Sequence, residues 1–422
     1  MAEICVSPRY AVRTRLTSAG SPEEVWLAED LALDSQVVLK KIPLPGRVQE
    51  DTHRLLGLCD AFLSLSHPGL ARPLRFCPAL ERGSIWLASE HVPGEAFLPT
   101  IRSLSLDTLL RVLSQLCSVL HYLHSRGYAH LDLHPGNVLL VPPQDENEPW
   151  TLKIIDLPLF PLGALNEHRE LLRFHPGFSA PEVLAGAPFD HRADLYSLGS
   201  LFYTAFVGEP PPKPPACGDP AEPHPAEILP STLLIPAYLL AILRNLLEHR
   251  VERRASSAYF LLEDINASLR AHQLPPLPRP EPDGMGRSVP LIPTPALDSS
   301  IIFLESWLQS RPPRSTFSLA VRGMPGSGCT RLTRALGIYL TLRGCGELVI
   351  QPHADSGLLG WEDSLLSPSG ERTPPSRPCF ILGKPGSLPV PGDIAQLASC
   401  LESSVLLLSA RDAGFALATP TA

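Results

Sequence analysis

Four side chains suited to phosphate and metal chemistry occur in the first half of the chain. Asp132 and Asn137 stand five residues apart in a Pro-Gly turn, while Asp156 and Lys40 each follow a separate apolar run. A carboxylate can align an attacking hydroxyl group, amide and carboxylate oxygens can hold Mg²⁺, and an ammonium group can bind phosphate oxygens. These residue types therefore predict phosphoryl-transfer chemistry, although any one of them alone would fit a turn or a solvated strand.

The elements predicted around these residues are strands first and helices later. Short apolar runs separated by turn residues predict strands between Tyr10 and Ile42, at Leu74–Phe76 and at Ser84–Ser89. A helix is predicted at Leu55–Leu65, and apolar residues recur at helical spacing over Leu106–Ser125. Three further helices are predicted at about 194–207, 231–248 and 256–271.

Six features between residues 8 and 271 match a family signature in the same order along the chain. They are Val37-Val38-Leu39-Lys40, the run His130-Leu131-Asp132-Leu133-His134-Pro135-Gly136-Asn137, Asp156-Leu157-Pro158, Ala180-Pro181-Glu182, the Asp194-to-Gly199 helix start, and Arg253. They resemble V-A-I-K, H-R-D-x-K-P-x-N, D-F-G, A-P-E, D-x-W/Y-S-x-G and the late arginine of the eukaryotic-type (Hanks-type) Ser/Thr protein kinase family.

The resemblance implies an α+β bilobal protein-kinase-like fold, with an N-lobe of antiparallel sheet plus helix and a mainly helical C-lobe. It also implies an ATP-dependent Ser/Thr kinase that transfers the γ-phosphoryl group of ATP to a protein hydroxyl, with ATP and Mg²⁺ as cofactors. In that family pattern Asp132 aligns the acceptor, Asn137 and Asp156 hold the metal, and Lys40 contacts the α and β phosphates.

The same resemblance assigns the remaining residues to nucleotide binding or to structure. The residues expected to bind the nucleotide are Gly20, Val25, Val38, Lys40 and His134. Three charged residues, Glu182, Asp194 and Arg253, are expected to stabilise the C-lobe, with Arg253 paired to Glu182. His130 is expected to be a packed core histidine and not a catalyst.

Two features that organise the nucleotide in this family are altered. Only backbone without side chains lies close over phosphates, so the covering loop should carry three glycines. The aligned residues are Ser18, Gly20 and Glu23, so only one of the three is a glycine. In the helix that follows, Leu58 stands at the position of the glutamate that pairs with the lysine corresponding to Lys40. Two alternatives follow: a kinase of low or unusual activity, or a pseudokinase that acts as a nucleotide-binding or scaffolding signalling module.

The catalytic segments depart from the family pattern as well. Leu131 replaces the arginine that pairs with a phosphorylated activation loop, and Ser179 is the only hydroxyl side chain in residues 157–180. We therefore expect that phosphorylation of this segment is not the switch. His134 stands where a lysine neutralises the transferring phosphoryl group, and His175 replaces a threonine. A histidine is a weaker constant cation at neutral pH.

The rest of the chain is predicted to be a linker and a second domain. The expected boundaries are a kinase-like domain at 1–272, a proline-rich linker at 273–299, and a degenerate P-loop-like α/β domain at 300–422, either whole or incomplete. A strand at Phe317–Val321, a glycine-rich loop and a helix at Thr330–Arg343 resemble the start of an AAA-like P-loop ATPase of the kind fused to bacterial Ser/Thr kinases.

That second resemblance is incomplete at the charged positions. Cys329 occupies the place of the P-loop lysine, and the strand at Pro378–Leu382 runs into Lys384 where an acidic metal ligand is expected. Nucleotide hydrolysis by this segment is therefore not expected, and a coincidental glycine turn is the alternative to a P-loop fold.

Composition and sequence patterns indicate which classes of binding partner and which cellular compartment to expect. A net charge of -8 without a local Lys/Arg run disfavours nucleic acid. Nine cysteines without a C-x-x-C pair give no zinc-finger or disulfide pattern and fit a reducing cytoplasm. The N-terminus has no signal-peptide pattern, and no uninterrupted apolar run is long enough for a membrane span. ATP and an unknown protein substrate or signalling partner are the expected partners.

Overall fold

A computed structural model describes most of the kinase-like region and parts of the remainder. The described residues are 9–18, 23–44, 52–78, 84–145, 148–167, 169, 172–212, 236–278, 295–310, 315–322, 329–342, 346–347, 379–383 and 403–410.

The described strands and helices are numbered separately in chain order. The strands are β1 (Tyr10–Arg15), β2 (Val25–Asp30), β3 (Ser35–Pro43), β4 (Pro73–Pro78), β5 (Ser84–Glu90), β6 (Glu95–Ala96), β7 (Val138–Val141), β8 (Thr151–Ile154), β9 (Ser315–Arg322), β10 (Gly346–Glu347), β11 (Cys379–Gly383) and β12 (Ser403–Ala410). The helices are α1 (Thr52–Leu63), α2 (Phe97–Ile101), α3 (Leu106–Ser125), α4 (Leu162–Glu167), α5 (Pro181–Leu184), α6 (Arg192–Val207), α7 (Ala237–Leu246), α8 (Ala258–Ala271), α9 (Pro295–Ser310) and α10 (Cys329–Leu342).

These elements belong to two compact units. The first unit contains Met1–Ser64, Pro73–His91 and Val289–Ala422, and the second contains Leu65–Arg72 and Val92–Ser288. The predicted division at 1–272, 273–299 and 300–422 follows sequence order and stays a prediction.

The N-terminal part of the first unit is an antiparallel sheet with the strand order β1-β2-β3-β5-β4. Alternate residues of a strand point to opposite faces, so Val37 and Leu39 lie on one face of β3 while Val38 and Lys40 lie on the other. Val37 and Leu39 are buried in a core cluster with Ala28, Trp86 and other residues of the sheet. This packing fixes the face to which Lys40 belongs.

The C-terminal part of the first unit contains a parallel sheet with the order β10-β11-β12-β9. Helix α10 follows β9 in the chain and contacts this sheet, as expected where a crossover connects parallel strands. The same helix packs against α1 and β4, and its residues 335–340 are buried. The glycine-rich loop at 323–328 and the Cys329 side chain lie outside the described features.

The second unit is mainly helical and carries a small antiparallel sheet of β6, β7 and β8. Helix α3 begins where the Ser105 side chain accepts a hydrogen bond from the Thr108 N–H, and it buries a long apolar face. It packs against α8 and β8. The start of the proline-rich segment packs on this unit, because the Leu277 N–H donates to Asn266 Oδ1 at 2.6 Å.

Most predicted elements are found with shifts of a few residues at their ends. Helix α3 has the predicted bounds Leu106–Ser125. Helix α7 starts at Ala237, while the earlier part of the predicted 231–248 helix, residues 231–235, is not among the described residues. Helix α9 starts at Pro295, inside the segment predicted to be linker. Among the described helices, none combines the length and the apolar character that crossing a bilayer requires.

Candidate active site

The loop between α3 and β7 is held by one buried carboxylate. Asp194, fully buried near the start of α6, accepts hydrogen bonds from the His130 N–H at 2.8 Å and the Leu131 N–H at 2.7 Å. His124 Nε2 lies 2.8 Å from the same carboxylate. Burial acts to raise the pKa of Asp194, but the hydrogen bond and charge interaction with His124, the charge interaction with His130 and the hydrogen bond from the Leu131 N–H lower it below its ordinary value. Asp194 thus fixes the backbone just before Asp132.

The hydrogen bonds to Asp194 hold Leu131 in an unfavourable backbone conformation. Leu131 has φ 58°, in the left-handed region that a branched side chain rarely adopts, and its side chain is buried. Such a conformation costs roughly 1–3 kcal/mol and persists only where neighbouring contacts impose it. His130 is buried as predicted, and its Nε2 lies 3.1 Å from the Ile155 carbonyl oxygen.

Asn137 connects the loop that carries Asp132 to the strand that precedes Asp156. Its side-chain Nδ2 donates to the Asp132 carbonyl oxygen at 2.9 Å, and its own carbonyl accepts from the Ile155 N–H at 3.0 Å. The antiparallel pairing of Val138 with Ile154 continues this connection. Asp156 follows β8 with φ 64°, a conformation that aspartate tolerates better than most residues. The structure therefore brings Asp132, Asn137 and Asp156 to the same end of the β7–β8 hairpin.

Two histidines lie against the Asp132 carboxylate. His175 Nδ1 donates to Asp132 Oδ1 at 2.8 Å, and the rings of His134 and His175 stack with centroids 3.8 Å apart. Burial, the largest influence, and the neighbouring His175 together lower the pKa of His134 to about 4, although Asp132 opposes the change. His134 is therefore uncharged at neutral pH and does not supply the constant positive charge of a lysine.

A side chain in the segment before α5 forms a hydrogen bond with the backbone of the same segment. Ser179, its only hydroxyl residue, is buried, and its Oγ accepts a hydrogen bond from the His175 N–H at 2.9 Å. Ser179 would have to become exposed before a kinase could phosphorylate it. That phosphorylation of this segment is not the switch stays a prediction.

The nucleotide-binding residues predicted in the sheet lie in the first unit. Val25 is directly opposite Lys40 in the β2–β3 pairing, and Leu27 is opposite Val38, so the predicted residues share one face. The Lys40 ammonium nitrogen lies 3.8 Å from Glu23 Oε1, and the two side chains are 18% and 21% exposed. Gly20 lies outside the described residues. Glu23 therefore contacts the cation that the family pattern leaves for a glutamate of α1.

The predicted pairing of Glu182 with Arg253 is wrong by one residue. Arg254 donates to Glu182 Oε1 at 2.8 Å and to Oε2 at 3.2 Å, and both side chains are buried. Arg253 ends a short 3₁₀ turn, Val251–Arg253, and is exposed. The chain becomes extended at Arg254, which turns that side chain inward. Sequence spacing alone could not tell which of two adjacent arginines faces the carboxylate.

Two contacts at the predicted site were not anticipated from sequence. His175 stands 43 positions after Asp132 and was noted only as a replaced threonine. Glu23 stands in the sequence only as a residue at one of the three expected glycine positions. At both positions the sequence shows an ionisable residue where the family pattern has glycine or threonine, and this difference marks the position as unusual. Which residue the ionisable side chain contacts depends on the tertiary fold.

The sequence of the chain is similar to those of known proteins. The protein kinase domain model matches residues 18–261, which is more than half of the chain. The serine/threonine-protein kinase pkn3 of Myxococcus xanthus is 27% identical over 338 residues, covering 76% of this chain and 61% of pkn3.

Two other relatives each match about half of the chain. The DNA damage-responsive serine/threonine-protein kinase RqkA of Deinococcus radiodurans is 33% identical over 225 residues, covering 48% of this chain and 30% of RqkA. The serine/threonine-protein kinase fused of Drosophila melanogaster is 32% identical over 206 residues, covering 48% of this chain and 24% of that protein. The chain thus spans less than two thirds of each of these relatives. On the family match and the collinear motifs, it belongs to the protein kinase domain family.

Proposed function

We propose that the chain is an ATP- and Mg²⁺-dependent protein serine/threonine kinase of low or unusual activity. The observation that carries this proposal is the hydrogen bonding that holds Asp132, Asn137 and Asp156 at one end of the β7–β8 hairpin. The names of the matched relatives support the same reaction class.

The residues present fit a Mg²⁺ ion. Because Nδ2 of Asn137 donates to the Asp132 carbonyl, the amide oxygen of Asn137 points away from that backbone and can serve as a ligand. Asp156 supplies a carboxylate, and Mg²⁺ prefers oxygen ligands of these two kinds. When bound, the ion neutralises negative charge on the phosphates.

The proposed roles of the other residues follow from their chemistry. Asp132 orients the acceptor hydroxyl and takes its proton, through the carboxylate oxygen that His175 does not occupy. Lys40 supplies the cation for the α and β phosphates, and Val25 and Val38 offer the apolar face beside it. His134 contributes at most a hydrogen bond, since it is uncharged at neutral pH.

Two contacts made by the proposed catalytic residues favour a second candidate function. Glu23 competes with phosphate for Lys40, and His175 occupies one oxygen of Asp132. A pseudokinase that binds nucleotide or scaffolds a signalling complex would retain the fold while losing transfer. We rank the kinase first because the groups proposed to contact the reactants are all present.

Phosphoryl transfer from labelled ATP separates the two functions. The full chain with Mg²⁺ is expected to incorporate label, and Asp132→Asn is expected to reduce incorporation to background. Asp107→Asn, an exposed change in the first turn of α3, is the matched control and should retain the parent rate. Equal background incorporation in the parent and in Asp132→Asn would remove the enzyme function and leave the pseudokinase.

Nucleotide binding is tested separately by thermal shift. The parent chain is expected to gain stability with ATP and Mg²⁺, because a ligand that binds only the folded state raises the melting temperature. Lys40→Ala should reduce that gain. A parent chain that shows no shift would also exclude the nucleotide-binding form of the pseudokinase.

We also propose that residues 300–422 form a degenerate P-loop-like domain that does not hydrolyse nucleotide. The proposal is supported by the order of β9 and α10 and by the parallel sheet, which is the setting that a phosphate-binding loop requires. Hydrolysis of ATP that persisted at the parent rate in Asp132→Asn, where the kinase site is disabled, would count against the lack of hydrolysis. The buried free thiols of Cys59, Cys77 and Cys117 support a reducing compartment such as the cytoplasm.

A further inference from the structure

Three metal-ligating side chains from two separate segments converge in the second unit. Asp132 and His134 come from the loop between α3 and β7, and His175 comes from the segment before α5. One ligand atom from each residue lies within 4.8 Å of those of the other two. Neither histidine belongs to the family pattern, which places a lysine and a threonine at these positions.

The spacing of these ligand atoms is close to that of a zinc site. Zinc binds imidazole nitrogen and carboxylate oxygen at about 2.0–2.2 Å with tetrahedral angles, so neighbouring ligand atoms should be about 3.4 Å apart. His175 Nδ1 and Asp132 Oδ1 are 2.8 Å apart, and the ligand atoms of all three residues lie within 4.8 Å of one another. Shifts of about an ångström, together with a turn of the two stacked rings relative to each other, would seat an ion between the three groups.

The exposure of His175 also suits a metal. The His175 side chain is 48% exposed, which leaves a route for an ion to enter and for water to complete the coordination. Binding through Nε2 of His134 would move the ring proton to Nδ1 and end the hydrogen bond from the Gly136 N–H.

We propose that Asp132, His134 and His175 form a binding site for a divalent transition-metal ion, with Zn²⁺ as the ion that this donor set fits best. Two imidazole nitrogens and one carboxylate, with an open fourth position, form a donor set used by zinc enzymes. Mg²⁺ is a poor match, because it favours oxygen ligands in octahedral geometry. The site is thus separate in its chemistry from the oxygen ligands of Asn137 and Asp156.

Zinc at this site would regulate transfer, a consequence that rests on the proposed kinase function. The ion takes the Asp132 carboxylate, so the acceptor hydroxyl loses the group that aligns it. Zn²⁺ is then an inhibitor that does not compete with ATP for Lys40.

The test is metal binding by the full chain without a polyhistidine tag. Co²⁺ is used as the spectroscopic probe and Zn²⁺ as the calorimetric one. We expect one equivalent of either ion to bind, with visible Co²⁺ absorption typical of nitrogen and oxygen ligands. His175→Thr and His134→Asn should each weaken binding by at least about tenfold, because each removes one of three protein ligands.

The matched control is His272→Gln. His272 is an exposed histidine at the C-terminal end of α8, so this variant removes an imidazole outside the cluster and should bind as the parent does. Loss of the His175 side chain leaves the His175 N–H to Ser179 Oγ bond in place, so the fold should survive. Circular dichroism of each variant checks this.

Three results would overturn the site. They are the absence of binding in the parent, unchanged affinity in both cluster variants, and a sulfur-to-cobalt charge-transfer band that assigns the metal to cysteines. Activity is measured separately. If the parent binds Zn²⁺ but transfers no phosphate, the site stands and the kinase function fails. If it transfers phosphate but binds no Zn²⁺, the kinase function stands and the site fails.

Discussion

The carboxylate of Glu23 lies 3.8 Å from the ammonium nitrogen of Lys40, at a position where the family pattern has a glycine. The neighbouring pair, Glu24 and Lys41, is closer, at 2.8 Å. If Lys40 binds the phosphates of ATP as proposed, the negative charge of Glu23 competes with them for the same ammonium group.

Glu23→Gln should tighten ATP binding. The change removes a negative charge that competes with phosphate for Lys40, and partly exposed ion pairs of this kind are worth about 0.2–1 kcal/mol. The dissociation constant for ATP is therefore expected to fall roughly two- to fivefold. Fluorescence titration with a labelled nucleotide measures it. Glu24→Gln is the matched control, since its partner Lys41 is not a predicted phosphate ligand, and an equal effect in both variants would contradict the argument.

His134→Lys should raise the rate of phosphoryl transfer. His134 is uncharged at neutral pH because burial lowers its pKa to about 4, whereas an unperturbed lysine has a pKa of about 10.4 and stays charged. A fixed positive charge beside the transferring group should raise kcat about tenfold. Autophosphorylation with saturating ATP gives the comparison. His272→Lys, which adds the same charge on the exposed end of α8, should leave the rate unchanged. A rate in His134→Lys no higher than in the parent would argue against the role.

Arg254→Met should destabilise the second unit strongly. The substitution removes the partner of Glu182, which then stays buried and uncompensated. Breaking one side of a buried ion pair typically costs about 3–5 kcal/mol. The free energy of unfolding in urea is the measurement. Arg253→Met, at the exposed neighbouring position, should change it by less than about 0.5 kcal/mol. A larger loss in Arg253→Met than in Arg254→Met would restore the pairing expected from sequence.

Asp194→Asn should give a stability difference that depends on pH. The folded protein holds the pKa of Asp194 below its ordinary value of 3.8, so the charged form stabilises the fold above that pH. That stabilisation is lost as the pH falls through the lower pKa of the folded state. The variant should therefore be clearly less stable than the parent near neutral pH, and the difference should shrink in acid.

Denaturant titrations at several pH values measure this difference. Asp107→Asn provides the comparison at an exposed carboxylate, whose ion pair with Arg111 contributes little. A difference between the parent and Asp194→Asn that is constant at all pH values would mean that the charge of Asp194 does not stabilise the fold.

Local patterns in the sequence were enough to predict most elements. Helix α3 was predicted with its observed ends because apolar residues that recur at helical spacing are a local signal. The antiparallel strands around Lys40 were predicted for the same reason. The start of helix α9 was wrongly predicted to belong to the linker, because prolines are frequent in linkers. Pro295 is instead the first residue of the helix, where proline is well tolerated.

What the sequence by itself determined is the family, the order of the elements and the residues that could perform chemistry, since these depend on residue type and on spacing along one strand, loop or helix. Only the tertiary structure decided which side chains meet. Arg254 and not Arg253 contacts Glu182, Glu23 contacts Lys40, and His175 contacts Asp132 across 43 positions of chain. Such contacts depend on how distant segments pack and on the direction that each side chain takes from its backbone, and neither is encoded in local spacing.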